Sequence, residues 1–148
     1  MNDAGQRSYF VDGAGDVYAS GERPAGGGWR VGIRHPVLRE RVAHVVSARD
    51  LAVATSGTYE KGAHIRDPHT GRVATELVSV TVLGPDIVAA DAYATAAFAM
   101  GRAGLAFMED VAGYEAFAID ADLQSACTSG FEAFVAPAPT FGAPLARP

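Results

Sequence analysis

Residues 77–102 read LVSVTVLGPDIVAADAYATAAFAMGR, and the fold turns on this stretch. From Leu77 to Gly84, Val78, Val80 and Val82 alternate with Ser79, Thr81 and Leu83, the two-residue period of a strand with one apolar face. From about Ile87 to Arg102 the composition shifts to alanine and no proline intervenes. Ala92, Thr95, Ala96, Ala99 and Met100 then fall on one helical side. The expectation is a strand followed, after a short turn, by one long helix starting near Val88.

Working outward, SYFVDGAGDVYAS (8–20) alternates around a glycine-rich centre, ERPAGGG punctuates, and WRVGIRHP resumes at Trp29, which reads as two strands and a connecting loop. VAHVVSARDLAVATSG places β-branched residues at Val42, Val45 and Val46 and softer chemistry near Ala52 to Ser56, so a strand and a short turn are expected. In AHIRDPHTGRV, Asp67-Pro68 and Gly71 supply the fixed and positive φ values of a tight turn. Downstream, a short helix is expected over Leu105 to Val111, a strand in YEAFAID, and a final strand or strand pair in SACTSGFEAFV. Residues 1–8 and the Pro/Ala-rich tail 136–148 read as disordered. Strands first, then a strand, a long helix and more strands, describe a single α+β domain with a mostly antiparallel sheet and its helices on one face.

Bulk properties exclude some classes of function. A net charge of −5 with no cluster of Lys or Arg offers no field for nucleic acid. The single cysteine, Cys127, can form neither an internal disulfide nor a zinc site alone, and reads as a small buried apolar residue. The start MNDAGQRSYF lacks the regions of a secretory signal and no apolar run is long enough to span a bilayer, so the chain as written is expected to be soluble, hence cytoplasmic.

Candidate chemistry lies in short motifs. Gly13-Ala14-Gly15 fails the dinucleotide fingerprint, because Tyr18 stands where the third glycine belongs. A turn is the simpler reading. Asp91 and Thr95 are four apart, so on a helix a carboxylate and a hydroxyl share one face and suit a hard cation such as Mg²⁺. Read alone, they are more simply a helix-start Asp and a core-facing Thr. His64 precedes the turn in HxxDPxxG, where a carboxylate could orient its ring as a general base; the plainer alternative is an exposed histidine near a hairpin. Thr55-Ser56-Gly57 offers hydroxyls and a flexible backbone for phosphate oxygens.

The order of these pieces is more telling than any one of them. AGD at 14–16, WRVGIRHP, ATSGTYEKGAHIRDPHTG, VSVTVLGP, ADAYATAAFAMG and TSGFEAF together resemble the carboxyl-terminal half of the ApbE family of FAD:protein FMN transferases, over residues 9–135. The resemblance implies that Asp91 and Thr95 are side-chain ligands of a catalytic Mg²⁺ and that His64 deprotonates the acceptor hydroxyl. It further implies that His64, Ile65 and Arg66 lie along the flavin nucleotide, with Thr55, Ser56 and Gly57 nearby. The implied activity moves FMN from FAD to a Thr or Ser of a partner flavoprotein with release of AMP. Alternatives are FAD pyrophosphatase activity and a non-catalytic flavin-binding remnant. The chain departs from the pattern in length, in Arg66 where an apolar residue is common, and in Ala14 where a glycine is usual. An incomplete site, with self-association or pairing with an amino-terminal half, is therefore expected.

Overall fold

The computed structural model describes residues 5–38, 40–58, 62 and 64–137. A six-stranded antiparallel sheet runs in the order β1-β2-β5-β6-β7-β8, and β3 pairs with β4 in a separate ribbon. The strands are β1 (Tyr9–Gly13), β2 (Asp16–Ser20), β3 (Trp29–Arg34), β4 (Val42–Ala48), β5 (Leu51–Gly57), β6 (Leu77–Gly84), β7 (Glu115–Asp120) and β8 (Ser125–Cys127). Two helices, α1 (Ile87–Ala99) and α2 (Ala103–Glu109), connect β6 to β7, and a 3₁₀ turn covers Phe131–Phe134. The α+β class and the long helix agree with the sequence.

Several expectations need correction. Residues 8–34 hold three strands, because Ala14 (φ 60°) and Gly15 (φ 104°) turn β1 straight into β2 as a hairpin. Ala52 to Ser56 are strand, with Asp50 at φ 48° making the corner between β4 and β5. Cys127 is exposed on the short edge strand β8. Ala136 and Pro137, read as tail, are held: Ala136 N–H donates to the Val45 carbonyl at 2.7 Å, and the Pro137 carbonyl accepts from Arg30 at 3.2 Å. Residues 1–4 and 138–148 lie outside the described residues.

The sheet is covered on both faces. On one side Ala52, Ala54, Val80 and Val82 pack against Ala90, Ala94, Ala97 and Phe98 of α1 and Met108 of α2. Alanine on both strand and helix lets their backbones approach closely, and Phe98 fills the remaining volume. On the other side Leu51, Val53, Leu83 and Phe117 meet Ile33 and Val46 of the ribbon and Phe131. β6 is therefore buried on both faces, contrary to the expected single apolar face. A register shift between Leu77 and Ser79 also moves Val78 to the ribbon side, away from Val80 and Val82.

Candidate functional site

The helix carries its chemistry on the side turned away from the sheet. Ala90, Ala94, Ala97 and Phe98 are buried, whereas Asp91, Ala92, Thr95, Ala96 and Met100 are exposed. The side picked out from sequence is thus the outer one. Both plain readings of the Asp91–Thr95 pair fail with it. Thr95 does not face the core, and the helix start is capped by Asp86, whose Oδ1 accepts from Ala89 N–H at 2.8 Å. Asp91 sits in the second turn, beyond the first-turn positions that favour an acid.

Thr95 Oγ1 lies 2.9 Å from Ser56 Oγ, joining the outer helix to the end of β5 across 39 residues of sequence. Thr55, Ser56 and Gly57 are strand rather than loop, so successive side chains point to opposite faces. Ser56 faces the helix. Thr55 faces the ribbon, where its Oγ1 meets Thr81 Oγ1 at 2.8 Å and its N–H donates to Asp16 Oδ1 at 3.0 Å. Asp16 belongs to the AGD motif, and its role in tying β2 to β5 carried no signal in the sequence. Thr55 also borders a cleft of about 310 Å³ between the β1–β2 hairpin and β3, whose walls include Phe10, Trp29 and Arg34.

The HxxDPxxG segment is a closed turn. Gly71 N–H donates to the Asp67 carbonyl at 2.8 Å, Asp67 N–H donates to the Arg72 carbonyl at 2.9 Å, and Arg66 and Val73 form an isolated antiparallel bridge. Asp67 organises the turn: its carboxylate accepts from Thr70 Oγ1 and from His69 N–H, each at 2.8 Å. The Thr70 hydroxyl, followed by the His69 amide, holds its pKa below the usual aspartate value.

His64 takes its partner elsewhere. Its Nδ1 is 2.9 Å from the Gly62 carbonyl, which can only accept, so Nδ1 is the donor of this pair. A carbonyl, rather than the expected carboxylate, orients the ring. Ile65 is buried in the helix-side core and its carbonyl accepts from Ala74 N–H at 3.0 Å. Arg66 is exposed and braces the turn by donating to the Gly71 carbonyl at 3.0 Å.

Turn and helix meet. A cleft of about 460 Å³ has Asp67, Pro68 and His69 on one wall and Ala96, Ala99, Met100 and Ala103 on the other. The end of β5 thus meets α1 at Thr95, and the HxxDPxxG turn borders the carboxyl-terminal end of the same helix at Ala96, Ala99 and Met100. The second TSG, Thr128-Ser129-Gly130, serves the fold. Glu115 accepts from the Thr128 hydroxyl and the Gly130 amide, and Glu109 accepts from the Ser129 hydroxyl and amide.

The exposed oxygens on this face are candidates for a hard cation. Asp91 and Thr95 offer hard oxygens, and among the described residues no group of three or more His, Cys, Asp or Glu could form a cage. Such a set suits Mg²⁺, which keeps several waters and completes its shell with phosphate oxygens. Also among the described residues, no helix is long and apolar enough to cross a membrane.

The fold and this face define an α+β sheet protein presenting an oxygen-donor helix beside a histidine-bearing turn. The chain belongs to the ApbE family, whose model matches residues 1–118. It is 34% identical over 112 residues to the FAD:protein FMN transferase of Vibrio cholerae, covering 69% of this chain and 34% of that protein. Identity to the FAD:protein FMN transferase of Treponema pallidum is 39% over 113 residues, covering 69% and 31%. Among solved structures it matches the flavin transferase ApbE from Vibrio cholerae with a TM-score of 0.77 at 31% identity, covering 90% of this chain and 46% of that one. The ApbE protein from Thermotoga maritima matches with a TM-score of 0.76 at 30% identity, covering 88% and 45%. The chain spans about a third of the length of the curated relatives and just under half of the solved ones.

Proposed function

We propose that this chain provides one wall of an Mg²⁺-dependent FAD:protein FMN transferase. The observation that carries the reading is the outward presentation of Asp91 and Thr95 on α1, the helix whose carboxyl-terminal end borders the HxxDPxxG turn, in a chain whose relatives are named FAD:protein FMN transferases. Asp91 and Thr95 would hold Mg²⁺, and the bound ion would neutralise the diphosphate of FAD. FAD and an acceptor flavoprotein are the partners this implies.

The chemistry asked of the chain itself is modest. An acceptor Thr or Ser oxygen forms a bond to the FMN-side phosphorus, its proton passes to Nε2 of His64, and the bond from that phosphorus to the AMP oxygen breaks. Gly62 supports this role by fixing the protonated Nδ1, which in the neutral ring leaves Nε2 as the accepting atom. Arg66 braces the turn that follows His64 by donating to the Gly71 carbonyl. With so few protein ligands on this wall, cation affinity depends on the phosphates and on whatever completes the site, a second copy or a separate amino-terminal half included.

Incubation with FAD, Mg²⁺ and a Thr-bearing acceptor peptide tests the proposal. Covalently fluorescent peptide together with AMP is expected. AMP and free FMN without labelled peptide would assign a pyrophosphatase instead. Neither product, with flavin retained on the protein, would indicate a binding module.

A further inference from the structure

We infer that Ser56 is a positioning residue for the cation, acting through Thr95: its oxygen accepts the Thr95 hydroxyl proton and thereby turns the Thr95 lone pairs toward the metal. The inference rests on the proposed reading of Asp91 and Thr95 as Mg²⁺ ligands, and extends it to a residue that does not itself touch the ion.

A threonine hydroxyl has one proton and two lone pairs. To ligate a cation it must aim a lone pair at the ion and send the proton elsewhere, and coordination makes that proton a stronger donor. The structure supplies a partner able to accept it, with Ser56 Oγ at 2.9 Å from Thr95 Oγ1 in a pair where either oxygen can donate. Ser56 is 7% exposed, so its contact with solvent or a ligand is slight, whereas Thr95 is exposed. The serine is well anchored. It sits in β5 opposite Val80 of β6, and the preceding residue is fixed on the other face by Thr81 and by Asp16. Without Ser56, the Thr95 hydroxyl is free to rotate its proton toward the cation. Residues that orient a ligand in this way typically govern metal affinity by 10- to 100-fold.

Mn²⁺, a spectroscopically visible substitute for Mg²⁺, can be titrated by electron paramagnetic resonance into the chain in the presence of FAD. Wild type, Ser56→Ala, Thr95→Val and the double variant are compared, each checked for folding by circular dichroism. Ser56→Ala is expected to weaken Mn²⁺ binding by about 10- to 100-fold. In the Thr95→Val background it should cause no further loss, since a residue acting only through Thr95 has nothing left to orient. Ser56→Cys, of similar shape with a weaker acceptor, should fall between wild type and Ser56→Ala, and serves if the alanine variant does not fold. Wild-type affinity in both Ser56 variants, or losses that multiply in the double variant, would overturn the inference alone. Absence of saturable Mn²⁺ binding by the wild type, or full binding by Asp91→Ala, would overturn the cation reading and this inference with it.

Discussion

Asp67 accepts hydrogen bonds from Thr70 and His69, and these hold its carboxyl below its ordinary pKa of 3.8. A depressed folded-state value means that the carboxylate contributes stability above the unfolded pKa, and that the contribution is lost as pH falls through the folded one. The His69 amide resonance should therefore hold its position through the range in which an ordinary aspartate titrates, and shift only at more acid pH. A midpoint at or above the ordinary value would contradict the turn geometry. The sequence HIRDPHTG already announced this turn, because Pro68 and Gly71 are backbone requirements and need no tertiary context. The partner of His64 was not legible. Choosing between the Asp67 carboxylate and the Gly62 carbonyl depends on how the chain enters the turn, and no spacing rule encodes that.

At the scale of elements, α1 was legible as a helix and illegible as to its facing. Alanine occurs all around it, so apolar spacing gives no direction, and its orientation is set by Phe98 and by the small residues Ala52 and Ala54 beneath it. The two acids on this helix are predicted to behave differently. Asp86 accepts from Ala89 N–H as the amino-terminal cap, so Asp86→Ala should cost about 1 kcal/mol. In a chain of this size that lowers the melting temperature by about 3 °C. Asp91→Ala removes an exposed side chain from an unstrained helix position and should leave the melting temperature within about 1 °C of wild type. Reversed effects, measured by thermal melting, would mean that Asp91 serves the fold. β5 was misread for a related reason. Ala52 and Ala54 are poor strand formers by propensity, yet as small residues they let α1 pack closely on the sheet, and tertiary packing overrides the preference.

At the scale of the molecule, the sequence conveyed the class and the family but not the layering. The covering of the second sheet face by the β3–β4 ribbon and Phe131 joins segments far apart in the chain, and β6 looks one-sided until the ribbon is in place. The meeting of Ser56 with Thr95, and of the HxxDPxxG turn with the carboxyl-terminal end of α1, is likewise a property of the whole fold, built from three segments that single-segment patterns treat separately. The proposed reading is that this side of α1 binds the cation through Asp91 and serves FMN transfer. It is tested most directly by the Mg²⁺-dependent rate of flavin transfer to a Thr peptide, compared between wild type and Asp91→Ala. A fall of about 100-fold or more with the fold intact is predicted, whereas an unchanged rate in the variant would contradict the claim.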